Sequence, residues 1–208
     1  MKKIVNLRIY GKIGDLLIFV EHPSVYTVGR DGGSYPERID DIPVYYVERG
    51  GDITYHGPGQ IVGYPIIKLD ERSLSIKDLI LLIEESIINT MEHYGLQGYW
   101  IKGHAGVWVN GRKIASIGIA VRKWVTYHGF AFNVNNDLKP FLNINPCGLP
   151  PEIMTSLSKE VNRNIDINEV KRILLAEFSR LLGEKISILP INRALSLISQ
   201  SVMESVGL

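Results

Sequence analysis

Cys147 is the only cysteine in the chain, and it sits in the stretch "NINPCGLPPE". A proline before it, a glycine after it and two more prolines close by predict an irregular turn, not a packed strand or helix. Such a turn exposes a sulfur and points successive backbone N–H groups at one spot, where an oxyanion can be held. A nucleophilic cysteine must also be ionised. From an unperturbed pKa of ~8.5 only about 3% is thiolate at pH 7, and a nearby cation that lowers it by ~2 units makes thiolate the major form. The candidate cations are His56, His104, His128 and Lys113. A histidine would give the Cys–His pair of many thiol hydrolases, a lysine the less usual partner, and spacing alone leaves the choice open.

A second stretch, "ERGGDITYHGPGQ" from Glu48 to Gln60, combines glycines with an arginine and a histidine that turns alone do not require. It has neither the Gly-Lys-Ser/Thr ending of a phosphate-binding loop nor a GxGxxG leading into a helix. A strand follows it, so its glycines more plausibly let the backbone pass close to an extended, uncharged ligand. Five histidines and one cysteine allow a zinc site on paper, but no two stand at HxH or HxxxH spacing, and no metal is expected.

These residues need elements to position them. "LLIFVEHP", "VYTVGRDGGSYP", "IPVYYVERGG" and "QIVGYPIIKL" read as strands, with Gly63 and Pro65 suggesting a bulge or an edge in the last. Ser75 as N-cap with Asp78 three residues on opens a helix whose apolar stripe runs from Ile76 through Ile80, Ile83, Ile87 and Met91 to Tyr94, ended by Gly95. Asn110-Gly111 between "GVWV" and "KIASIGIAV" is the strongest hairpin signal, and it puts Lys113 just after a tight turn on the returning strand. A second reversal is expected near Lys123-Trp124. After Pro150 the pattern turns helical, with Asp166 and Glu169 as a capping-box-like start, Val170, Ile173, Leu174, Phe178 and Leu181 as the stripe, and Gly183 as the stop. The partly apolar tail from Ile186 reads as a further helix. Strands first and helices later indicate one α+β domain over residues 1–208, with a mainly helical part from about 150.

The 208 residues are 45% hydrophobic and 22% charged, the balance of an ordinary globular protein. A net charge of +1, with basic pairs but no basic run, gives no electrostatic reason to expect nucleic acid. One cysteine excludes an intrachain disulfide framework. Lys2 and Lys3 mimic the basic start of a signal peptide, but Asn6, Arg8, Lys12 and Asp15 interrupt any apolar core, and the apolar runs are too short to span a bilayer. The chain reads as cytoplasmic, with no membrane association.

In order, "EHPSVYTVGR", "RGGDITYHGPGQ", "GRKIASIGIAV", "HGFAFNV", "INPCGL" and "TSLSKEV" resemble the successive signatures of the lipoyl(octanoyl) transferases of the LipB type. The resemblance covers roughly residues 15 to 185, with Lys113 and Cys147 separated by 147 − 113 = 34 positions. It implies the fold of biotin and lipoate protein ligases, a mixed, largely antiparallel sheet flanked by helices, with C-terminal helices. It also implies a monomeric enzyme that takes an octanoyl group from acyl carrier protein. The acceptor would be a particular lysine of a lipoyl domain, in the E2 subunits of 2-oxoacid dehydrogenases or in glycine cleavage H protein. This is the first step of endogenous lipoate assembly. By the same resemblance Cys147 is the nucleophile and acyl carrier, and Lys113 its acid/base partner. Arg49, Gly50, Gly51, Asp52, Ile53, Thr54, Tyr55 and His56, with Ser116, Ile117, Gly118, Gly129, Phe130 and Ala131, would line the acyl pocket. The donor is already a thioester, so neither ATP nor any cofactor is implied beyond the carrier's phosphopantetheine.

Three other readings share parts of this pattern. An ATP-dependent lipoate–protein ligase has the same fold, but its loop carries an aspartate after the histidine, where Gly57 follows His56 here. It also needs no nucleophilic cysteine. A cysteine-using amidotransferase between lipoyl domains matches the motifs less well. A non-catalytic binding module of the same fold predicts an unreactive Cys147.

Overall fold

Two hairpin tips anchor the larger sheet. Asn110 and Gly111 have φ of 50° and 75°, and Lys123 and Trp124 have φ of 48° and 65°, the left-handed pairs that type I′ turns demand. The structure, a computed structural model, describes residues 1–190, 192–196 and 199, and Cys147 through its backbone alone. Its elements are α1 (Lys2–Ile9), β1 (Leu16–Val20), β2 (Val25–Val28), β3 (Arg38–Ile39), β4 (Ile42–Tyr46), β5 (Ile53–His56) and β6 (Gln60–Ile66). Then come α2 (Ile76–Glu92), β7 (Tyr99–Ile101), β8 (His104–Val109), β9 (Arg112–Arg122), β10 (Val125–Asn133), α3 (Leu157–Val161) and α4 (Ile167–Leu182).

Six strands form an antiparallel sheet in the order β1-β6-β10-β9-β8-β7, and four form a smaller sheet, β3-β4-β2-β5, in which β2 and β4 run parallel. The fold is that of an α+β protein, a largely antiparallel sheet with flanking helices. One face of the larger sheet buries Val107, Val109, Ile114 and Phe132 against Leu79, Ile83, Ile87 and Met91 of α2 and Val170, Leu174 and Phe178 of α4. Each such side chain contributes about 1.5–3 kcal/mol by leaving water. The smaller sheet has its own core of Tyr26, Val28, Ile53, Tyr55, Phe141 and Met154.

The α2 helix starts as its sequence requires, with Ser75 and Asp78 exchanging both bonds of a capping box. Asp166 caps α4 by accepting from the Asn168 N–H, while Glu169 accepts from the Tyr94 hydroxyl, and Gly183 ends the helix at φ 72°. Residues 192–196 are helical; 191, 197, 198 and 200–208 of the expected tail helix lie outside the described residues. Among the described residues no helix is long and apolar enough to cross a membrane.

One element was not foreseen and one expectation is corrected. The N-terminal segment, rejected as a signal peptide, forms α1, whose buried face is Val5 and Arg8 with Leu7 beside them. An arginine on that face breaks the apolar periodicity that would have revealed the helix. Strand β6 is not an edge, since β1 and β10 flank it, and its register with β1 is unbroken from Val62 to Ile66. Gly63 is small because the Phe130 ring lies 2.2 Å from where a Cβ would stand. The irregularity belongs to β10 opposite Pro65, where His128 and Gly129 take φ of 57° and 156°.

Candidate active site

Lys113 lies on β9, opposite Trp108 at a bulge in the β8–β9 ladder, and is only 3% exposed. Its Nζ stands 5.7 Å from the centroid of the Trp108 ring. Its carbonyl accepts the Thr155 N–H at 2.9 Å, and Met154 bridges to it in parallel. The chain that follows Cys147 is thereby stitched to the strand that carries Lys113. Cys147 occupies a 3-10 turn, Pro146–Gly148, which packs against β5. Its side chain lies outside the described residues. Within that turn the Gly148 and Leu149 N–H groups donate to the carbonyls of Asn145 and Pro146, at 3.1 and 3.2 Å. The expected convergence of N–H groups on an oxyanion is therefore not what these two do, because the tight turn uses them itself.

A cavity of about 580 Å³ opens between the two sheets. Strand alternation decides what it sees. From the smaller sheet, Val25 and Thr27 of β2 and Thr54 and His56 of β5 line it, while Tyr26, Val28, Ile53 and Tyr55 turn the other way into the small core. From the larger sheet come Ser116, Ile117 and Gly118 of β9 and Gly129, Phe130 and Ala131 of β10, which are register partners of one another. Arg49 and Gly50 also line the cavity, while the expected Ile53 and Tyr55 face the small core instead. Gly51 and Asp52 do not line it. They tie the loop: Gly51 N–H donates to the Asp31 carboxylate at 2.7 Å and the Asp52 carbonyl accepts from Gly29 N–H at 3.3 Å. Lys113 is not among the lining residues either; it precedes Ser116 by 116 − 113 = 3 positions on β9.

A buried polar chain runs behind this wall. The Arg49 guanidinium donates to the Thr27 carbonyl and hydroxyl, and the hydroxyl sits 3.2 Å from Nε2 of His56. Nδ1 of His56 meets Oε1 of Gln60 at 2.9 Å. The Gln60 amide N–H groups go to the Tyr55 carbonyl and to Oδ1 of Asn133, and Asn133 donates to the Thr155 carbonyl. Because both amide N–H groups of Gln60 are committed, its oxygen faces His56, and Nδ1 of the imidazole is the protonated nitrogen. Burial, with Arg49 nearby, holds His56 down to about 4, so the ring is neutral at pH 7. His128, on the same wall, is held down to about 4 by burial and by Arg49. His104 stands apart from the cavity, its ring edge-on to Trp108 at 6.3 Å. Neither His56 nor His128 is the cation that the thiolate argument requires; the other two candidates, His104 and Lys113, both flank Trp108.

Sequence reasoning missed Gln60, Asn133, His22 and Tyr64. His22 Nε2 and the Tyr64 hydroxyl are 2.6 Å apart on the cavity wall. Gln60 had a readable signal, a polar residue four positions after His56 across a Gly-Pro-Gly turn. Asn133 had none, since its role depends on two segments far away in the chain. Among the described residues no group of three potential ligands could hold a metal ion.

The fold is that of solved lipoate protein ligases. A bipartite lipoate protein ligase from Thermoplasma acidophilum, solved with its E2 lipoyl domain, superposes with a TM-score of 0.70 at 17% identity, over 96% of this chain and 85% of that one. The profile of the lipoyl protein ligase A/B catalytic domain matches residues 1–179, and the chain belongs to that family. Among its relatives are the octanoyltransferase of Geobacter metallireducens, 43% identical over 86% of this chain and 84% of its own, and that of Dictyoglomus thermophilum, 46% identical over 82% and 75%.

Proposed function

We propose that the protein transfers an octanoyl group from octanoyl-acyl carrier protein to a lysine of lipoyl domains, through a thioester on Cys147. The observation that carries this reading is Lys113, a lysine buried to 3% exposure and joined through Met154 and Thr155 to the segment after the cysteine. A buried ammonium is costly unless something uses it. The octanoyltransferase relatives and the cavity, walled by Val62, Ile117, Phe130 and Ala131, support the acyl substrate.

In the first half-reaction the Cys147 thiolate attacks the donor's thioester carbonyl. A new C–S bond forms, the carrier's C–S bond breaks, and the departing thiolate takes a proton from the Lys113 ammonium. In the second, the acceptor lysine attacks the acyl-enzyme. At a pKa of ~10.4 only about one such amine in 2,500 is neutral at pH 7, so a base is needed. Neutral Lys113 takes the amine's proton as the C–N bond forms and the Cys147 thiolate leaves. Thioester to amide is downhill, so no ATP enters. A Cβ at Gly57 would lie 2.1 Å from the Tyr55 hydroxyl, so a side chain after His56 would require the Tyr55 ring to move. The acceptors on this reading are E2 subunits of 2-oxoacid dehydrogenases and glycine cleavage H protein, served by a cytoplasmic monomer.

The test is the intact mass of the protein after incubation with octanoyl-acyl carrier protein without ATP. One hydroxylamine-labile octanoyl group is expected, absent in Cys147→Ser, and Lys113→Ala slows both half-reactions at least ~100-fold. Transfer to a lipoyl domain only from free acid and ATP, with no adduct, would overturn the reading.

A further inference from the structure

Glu84 is a carboxylate that the mechanism above does not use. It lies on the sheet-facing side of α2, 4% exposed, and its Oε1 accepts the Gly106 N–H at 3.0 Å. The residues that α2 buries with it are Leu79, Ile83, Ile87 and Met91, besides the hydroxyls of Ser86 and Thr90, and a carboxylate there costs far more than a glutamine or leucine would. Gly106 takes φ of 138° in β8, and a Cβ there would lie 2.8 Å from Cε of Lys113. The lysine side chain therefore runs across Gly106 toward the Trp108 ring. Glu84, Gly106, Trp108 and Lys113 form one cluster, with α2 behind it and β8 as its floor.

We propose that Glu84 is the positioning residue for Lys113: it fixes the Gly106 backbone over which the lysine side chain runs, and it holds a negative charge within electrostatic reach of the ammonium. Burial holds the Glu84 carboxyl above the ordinary carboxylate value, with neighbouring Glu85 adding to it, while the Gly106 N–H and the Lys113 charge pull it back down. By reciprocity the carboxylate favours the ammonium. The other ionisable groups around the cluster, among the described residues, are Glu85 on α2 and His104 beside Trp108 on β8. A lysine kept charged by a fixed protein carboxylate is ready to donate its proton to the leaving thiolate of the carrier.

This inference rests on the Cys147–Lys113 reading for its use, but not for its test. In protein labelled with ¹³C-lysine, with Lys113 assigned through Lys113→Arg, the Cε resonance reports the ammonium directly. Glu84→Gln keeps an acceptor for Gly106 and removes the charge. The Lys113 midpoint should then fall by about one pH unit, and the basic limb of kcat/KM for transfer should move by the same amount. Glu84→Asp keeps the charge, perturbs the packing at least as much, and should titrate close to wild type. A Lys113 midpoint unchanged in Glu84→Gln, or shifted equally in both variants, would overturn the proposal. If Glu84→Gln does not fold, the contrast is made with Gly106→Ala, which leaves the charge in place and should displace the lysine Cε resonance. Failure of the function reading looks different: Lys113 titrates as expected, yet Lys113→Ala keeps full transfer.

Discussion

His56 is held neutral by its surroundings, and that has a price in acid. Folded, it and His128 are held to about 4, while an unfolded histidine titrates near 6.5. Between those values the unfolded chain binds protons that the native chain refuses, so stability is complete above pH 6.5 and is lost as pH falls towards 4. The slope is at most ~1.4 kcal/mol per pH unit for each histidine. Urea midpoints should therefore drop between pH 7 and pH 5, above the range where the carboxylates begin to protonate. His56→Gln should flatten that drop by about half; an unchanged slope would mean His56 is not the group responsible. Chemistry at this scale was readable where residue types are rare. One cysteine in a Pro/Gly turn stands out in a sequence; Lys113, one charged residue among many, was singled out only by the family resemblance. The roles of Asn133 and Glu84 could not be read there, because a buried amide or carboxylate looks like any surface residue until its partner arrives from another segment.

Among the elements, the two glycine motifs near the start are one structure. Gly29, Arg30 and Asp31 donate their N–H groups to the carbonyls of Asp52, Arg49 and Gly51 in turn. A Cβ on Gly29 would lie 2.1 Å from the Gly51 carbonyl oxygen and 2.8 Å from the Arg49 guanidinium. Gly29→Ala should cost about 1–3 kcal/mol in chemical denaturation and weaken transfer, because Arg49 lines the cavity. Gly14→Ala, with open space around it, is the control and should stay within ~0.5 kcal/mol. Hairpins, the α2 capping box and the α4 stripe could be read from sequence because each is decided within a few residues. The division into two sheets and the inward or outward sense of β5 could not: Ile53 and Tyr55 sit in the same motif as Thr54 and His56, and only the pairing with β2 says which side meets the cavity. Helix α1 was hidden because Arg8 lies on its buried face.

Across the whole molecule, that arginine belongs to a network spanning distant parts of the chain. Arg8 of α1 pairs with Asp15 at 2.6 Å and with Glu71, Arg72 pairs with the same Asp15, and Arg72 reaches Glu184 beyond α4 at 2.6 Å. The Arg8 and Asp15 side chains are 7% and 12% exposed, so their charges depend on each other and not on water. Asp15→Asn should cost roughly 2–4 kcal/mol by leaving a buried arginine short of charge. Lys2→Ala, which removes an ion pair exposed on both sides, should change stability by under ~0.5 kcal/mol. Thermal melts of both would separate the two classes; equal shifts would show that the network is not what holds α1 in place.

The bond from Thr155 N–H to the Lys113 carbonyl also governs where this chain can change length. Between Lys113 and Cys147 lies the Lys123-Trp124 tip, an exposed hairpin end, and extra residues there lengthen a loop at small entropic cost without moving either residue. The few residues from Gly148 to Ile153 connect the cysteine's turn to a fixed point on β9, and one residue more or less there displaces that turn relative to β9. Among homologues, insertions should collect at the tip and be excluded from the short connection, even though both lie between the same landmarks of the chain.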